Sequence, residues 1–148
     1  MPLGKSHYYP HGRFHMRDME PYLHALGLDD VHETTGPHAS VHCRSYMSDR
    51  WERLGLYEAF RADCRTRTAT TVRPSVLPVE EFADSYVGRE AESYRRGYDR
   101  AEPWCLFVGF GGPHEPWDAP GQYAALYDPA VTPPPLPDSS PTHVWPRP

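Results

Sequence analysis

The chain has 148 residues, of which 39% are hydrophobic and 24% charged, with a formal net charge of -5. That size suits one domain with a sizeable core, and the composition is globular rather than disordered. The acidic balance, without any Lys/Arg-rich block, argues against nucleic acid and anionic membrane as partners, and no apolar run reaches the roughly 20 residues of a membrane helix.

Residues 1–15 read as a loop, because Gly4, Pro10 and Gly12 break regular structure and nothing apolar repeats. A short helix is predicted within 16–27, where Met19, Leu23 and Leu26 recur at helical spacing. Residues 28–48 are polar and irregular. A helix capped by Ser48 or Asp49 is predicted over 50–63, with Trp51, Leu54, Tyr57 and Phe60 on one face, and 64–77 read as loop. The strongest helix pattern spans 79–96. Pro78 suits its first turn, Glu80 and Glu81 its positive end, and Arg95 and Arg96 its negative end; Gly97 is placed to stop it. Its apolar stripe includes Phe82, Tyr86 and Tyr94. Trp104–Phe110 is a continuous apolar run that predicts a strand buried on both faces of an α/β sheet. Pro120 is expected to open a last short helix reaching Tyr127. From Pro129 to Pro148 eight of twenty residues are proline, which predicts an extended tail.

Cys43, Cys64 and Cys105 are odd in number and lack CxxC spacing, so neither a disulfide framework nor a zinc ribbon is expected. Cys105 reads as a buried small hydrophobe. The first residues lack a signal-peptide apolar region, which leaves the compartment unknown, with cytoplasm as the default.

Two segments carry chemistry. Gly111-Gly112-Pro113-His114-Glu115-Pro116 follows the apolar run, and ligands of open α/β sheets bind beyond the carboxyl ends of strands. His114 lies there between two prolines that stiffen its loop, placed to donate to an anionic oxygen or move a proton. In Gly4-Lys5-Ser6-His7 a lysine and a histidine two apart can converge on one anion, and Lys5 is the chain's single lysine among fourteen arginines.

GKSH near the start and PHEPWD after an apolar strand resemble two landmarks of the sulfatase family, within the alkaline-phosphatase-like superfamily. DSYVGREAESYRRGYDRAEPWCLFVGFGGPHEPWDAPGQYAALYDP is similar to the helix, strand and loop found between and beyond them, and YYPHGRFHMRDMEPYLH resembles one bacterial subgroup. The likeness covers most of 4–137. It implies an α/β fold, a partial alkaline-phosphatase-like sandwich with a mainly parallel sheet flanked by helices, over 1–137, followed by a Pro-rich tail over 138–148. It implies hydrolysis of a small-molecule or glycan sulfate ester. By resemblance Lys5 holds sulfate oxygens and the nucleophile, His7 handles the nucleophile's hydroxyl, and His114 touches the sulfate or leaving-group oxygen; Lys5 and His114 bind substrate. Such chemistry needs cations and donors where oxygen charge develops.

The family's nucleophile is a cysteine or serine in a CxPSR-like motif, converted to formylglycine. Cys43 reads CRSYM, Cys64 reads CRTRT and Cys105 reads CLFVG, so the motif is absent. The aspartate ligands that hold Ca2+ in intact members are absent too, and no metal ligand is assigned. The chain is therefore expected to be an interior fragment, inactive alone, with open sheet edges and marginal stability. Other readings are a phosphate or phosphonate ester hydrolase of the same superfamily, a non-catalytic remnant, or an interaction module using Pro133–Pro137 as a polyproline ligand. Seven histidines within the first 42 residues also suggest transition-metal capture, and Asp29, Asp30, His32 and Glu33 look ligand-like, although no HxxxH falls on an expected helix. Substrate and oligomeric state are not legible.

Overall fold

The computed structural model describes residues 1–68 and 70–134. The expected tail over 138–148, and Pro135–Pro137 of the polyproline segment, lie outside the described residues. Three short strands, β1 (Pro2–Gly4), β2 (His32–Glu33) and β3 (Phe107–Gly109), form one parallel sheet in the order β2-β1-β3. Leu3 is in register with His32 on one side and Val108 on the other. The helices are α1 (Glu20–Ala25), α2 (Tyr46–Arg53), α3 (Tyr57–Arg65) and α4 (Ala83–Gly97), joined by 3-10 turns at Met16–Met19, Ala39–Val41, Val79–Glu81, Gly121–Ala125 and Pro129–Val131. The architecture is α/β, and none of the helices among the described residues is long and apolar enough to cross a membrane.

The central strand lies inside the segment read as a loop. Pro2–Gly4 is only three residues long, too short for a periodicity, yet Leu3 is 1% exposed and sits in the middle of the sheet. Pro2 is tolerated because it is the first residue of its strand. The second strand, β2, falls inside the stretch read as irregular, and is likewise too short to be seen.

Trp104–Phe110 is a strand only at Phe107–Gly109, and it is not buried on both faces. Trp104, Phe107 and Phe110 are each about half exposed (47%, 55% and 53%) and Cys105 is exposed, against expectation. The reason is position: β3 is a sheet edge, and α4 covers one face of it.

The predicted 50–63 helix is two helices. Ser45, not Ser48 or Asp49, is the N-cap of α2, and Ser45 and Ser48 bond each other's backbone N–H groups. Gly55, at φ +71, turns the chain between α2 and α3 and leaves Leu54 exposed. The 79–96 helix is present with a shorter start: Phe82 has ψ 146, which separates the Val79–Glu81 turn from α4. Tyr86 and Val87 are buried and Phe82 and Tyr94 partly so, as the stripe predicts. The last helix reduces to the Gly121–Ala125 turn, with Tyr127 85% exposed.

The core joins α2, α3 and α4 to β1 through Leu3, Met47, Trp51, Tyr57, Phe60, Leu77, Tyr86 and Val87. Trp51 and Phe60 rings meet at 4.7 Å, and Trp51 Nε1 donates to Glu81 O at 2.9 Å. Glu81 is 5% exposed and takes two 2.7 Å bonds from Arg50. That bidentate pair holds its carboxyl below the usual range.

Candidate anion site at the carboxyl end of the sheet

All three strands run the same way, so their exit loops emerge along one edge. Thr34 N donates to Gly4 O at 3.0 Å, and Lys5 N donates to Gly109 O at 2.8 Å. The exits are thus stitched together one residue beyond the ladder. The stitch requires glycine on both sides. A Cβ on Gly4, at φ +88, would fall 2.1 Å from Gly109 O, and one on Gly109 would fall 2.0 Å from Lys5 O.

Lys5 leaves the middle strand with its ammonium against Gly36, where a Cβ would stand 3.0 Å from Nζ. Gly36 begins the tripeptide Gly36-Pro37-His38. The same tripeptide recurs as Gly112-Pro113-His114. His38 lies five residues past the end of β2 and His114 five residues past the end of β3. The two loops touch, since a Cβ on Gly111 would be 3.5 Å from Pro37, and the His38 and His114 rings meet edge-on at 6.5 Å. Two equivalent histidines from the edge strands therefore meet each other across the exit of the strand that carries Lys5. His114 Nδ1 bonds Glu115 O at 2.8 Å and lies 3.2 Å from the Glu115 carboxylate, so Nε2 is the nitrogen turned to other partners. Both X–Pro bonds around it, Gly112–Pro113 and Glu115–Pro116, are cis.

The exit loop of β3 is tied down by α4. Asp84, in the first turn, accepts from Gly111 N at 2.7 Å and Gly112 N at 3.1 Å. A carboxylate so placed sets the loop's position before any ligand arrives.

His7 holds a left-handed backbone, φ 58, uncommon for a residue with a Cβ and costing on the order of 1 kcal/mol. That turn stacks its ring on His11, centroids 5.1 Å apart and planes within 17°. His11 Nε2 is buried with no partner among the described residues. Burial pushes the His11 ring below its ordinary range, and the neighbouring basic groups His7, Lys5 and His42 push it the same way. The loop is anchored by Tyr9, whose hydroxyl donates to Glu33 at 2.5 Å. Burial raises both groups above their usual ranges.

The site residues expected from the sequence, Lys5, His7 and His114, thus leave the sheet by the same edge. His11, His38 and Asp84 belong with them and were not singled out. The repeated Gly-Pro-His was the signal for His38; Asp84 had none beyond lying early in a helix. No protein-family model matches the chain, and no solved structure matches it.

The other ligand-like residues are engaged elsewhere. His32 bonds Tyr86 Oη at 2.7 Å between the Tyr46 and Tyr86 rings, and Asp30 accepts from Tyr94 and Arg100 at 2.9 Å each. His15 caps the Met16–Met19 turn and bonds Asp49 at 3.0 Å. Among the described residues no three His, Cys, Asp or Glu side chains come together as metal ligands.

The cysteines have little to offer as nucleophiles here. Burial pushes Cys64 up to about 11 and Cys43 above its usual range, and Cys105 precedes β3, at the far end from the exit loops. What remains is a cluster of one lysine and four histidines around an edge of backbone exits, suited to a tetrahedral oxyanion.

Proposed function

We propose that this edge is the oxyanion-holding part of a sulfatase-type ester hydrolase site, within an alkaline-phosphatase-like sheet. One observation carries the reading: Lys5 and His114, the two groups that the resemblance assigns to sulfate, lie on the exit segments of hydrogen-bonded neighbouring strands, which leave the sheet by the same edge. Lys5 supplies a point charge to the sulfate oxygens, and His114 Nε2 a directional donor to the bridging oxygen. His7, fixed by its strained turn, is the group that handles the proton of an attacking hydroxyl. In the net reaction water's oxygen ends on sulfur, the ester S–O bond breaks, and a proton goes to the departing alkoxide.

The nucleophile motif is not in this sequence, so the chain is a binder of the ester rather than a turnover catalyst by itself. Calcium takes six to eight oxygen ligands, and no three His, Cys, Asp or Glu side chains come together among the described residues to supply them; Asp84 is taken up by two backbone amides and one oxygen of Glu33 by Tyr9. The residues present do not fit Ca2+, and no step is derived through it.

Titrating the chain with inorganic sulfate, by calorimetry or by the imidazole proton resonances, tests the reading. Binding is expected, and Lys5→Ala is expected to weaken it about tenfold or more. Unchanged affinity in that variant sinks the assignment. Phosphate bound far more tightly than sulfate would move the reading to phosphate or phosphonate esters.

A further inference from the structure

On β3's exit loop lies a groove of about 630 Å3 lined chiefly by Phe82, Pro113, Pro116, Trp117, Tyr123 and Tyr127, with His114 in its wall. Most of its polar groups are already engaged. Trp117 O and Ala119 O accept from Arg73 N and Ser75 N, both at 3.3 Å. Arg73 is held by Asp63 at 2.5 Å, and Asp118 is 5% exposed. Besides His114, what remains is flat apolar surface and two exposed hydroxyls, Tyr123 Oη and Tyr127 Oη, which have no hydrogen-bond partner among the described residues. The groove thus offers ring faces and donors to a ligand without charge. A polyproline strand has that chemistry: its rings stack on aromatic faces, its carbonyls accept, and it has no N–H to leave unpaired.

Such a strand follows in this chain. Directly after Tyr127, Asp128 folds the backbone into the Pro129–Val131 turn: its carbonyl accepts from Val131 N and from Thr132 Oγ1 at 3.1 Å, and its carboxylate from Ala130 N at 2.9 Å. The sequence then runs Pro133-Pro134-Pro135-Leu136-Pro137 without a charge, and fourteen residues follow Pro134. Pro135 is eight residues from Tyr127, at most about 29 Å of extended chain. A neutral segment on so short a tether meets the neutral groove at an effective concentration on the order of millimolar. We infer that the groove is a polyproline-binding surface and that its occupant is this chain's own segment Pro135–Pro137. The inference stands apart from the oxyanion reading. Because His114 forms part of the wall, a seated segment shields that side of its ring.

The experiment measures binding of the synthetic peptide TPPPLPD, by calorimetry, to the full chain and to a full-length double variant, Pro135→Ser with Pro137→Ser. The double variant is expected to bind the peptide about fivefold or more tighter, because in the unaltered chain the tethered segment competes for the groove. Adding Tyr127→Ser to the double variant, at an 85% exposed position, is expected to weaken that binding several-fold and leave the unfolding midpoint unchanged. If no chain binds the peptide, the groove assignment is overturned. Equal binding by the unaltered chain and the double variant shows that the segment does not fill its own groove, and overturns the choice of occupant. So does an unaltered chain that sediments as a dimer and becomes monomeric in the double variant, since the segment then sits in the groove of a second copy.

Discussion

The helical core and the exit loops of the sheet are built by opposite rules. Around α2, α3 and α4 most buried polar groups are matched: Trp51 Nε1 to Glu81 O, Tyr57 Oη to Ser40 O, and Glu81 to Arg50, with Arg89 Nη2, 3.6 Å from the Glu81 carboxylate, the exception among the described residues. At the strand exits more are unmatched: Ser6 Oγ, His11 Nε2 and Glu33 Oε1 are buried with no hydrogen-bond partner among the described residues, and His7 holds a left-handed backbone. Unmatched buried groups and strain cost stability, so their concentration at one edge marks a surface shaped for something other than folding.

Three substitutions sharpen that contrast. The largest effect belongs to the core. Trp51→Ala removes a fully buried indole packed against Phe60 and should destabilise the fold by about 3–5 kcal/mol in denaturant titration. A loss below about 1 kcal/mol would show that the core is not where the described packing puts it.

The next concerns Asp118, a buried carboxylate beneath the apolar groove, pushed by burial from 3.8 to about 6. The folded chain holds its proton more tightly than the unfolded one. Its contribution is therefore fully present below about pH 4 and lost as pH rises through about 6. Asp118→Asn should stabilise the protein at pH 7 by on the order of 1–3 kcal/mol and make little difference at pH 4. Equal effects at both pH values would show that the carboxyl is hydrated in the fold.

The smallest effect tests the exit loops themselves. His11→Phe keeps the ring stacked on His7 and removes the unpartnered nitrogen. It should stabilise by about 1 kcal/mol while weakening sulfate binding. A variant that loses stability would mean that His11 is a structural group and not part of the site.

The sequence carried the helices better than the sheet. α4 is fifteen residues long and its stripe shows its period, with Gly97 at its end, whereas Gly55, read through as part of one 50–63 helix, is where the chain turns between α2 and α3. The strands are two or three residues each, below the length at which alternation can be read, and the apolar run at 104–110 has the composition of a central strand although it lies at an edge. Edge or centre is decided by which other segments pair with it, and those partners, Pro2–Gly4 and His32–Glu33, carry no pattern of their own. Lys5, His7 and His114 were singled out by their places beside glycine and proline together with the resemblance, and the fold puts all three on the strand-exit side of the sheet. His38 was legible only through its repeated tripeptide, and Asp84 acts through amides that no side-chain pattern reveals.

The pairing of Leu3 with Val108 also sets an order of assembly. More than a hundred residues separate these partners, so the middle strand waits for almost the whole described chain before its second neighbour exists. The α2–α3 pair, by contrast, closes over a handful of residues, and its Trp51–Phe60 contact can form early. Loop closure over such different spans makes the helical pair the natural nucleus and the sheet the late, slow event. The strand-exit edge, which depends on the stitch between Gly4, Lys5 and Gly109, then takes shape only after Gly109 has been made. A chain released before residue 109 would lack that stitch.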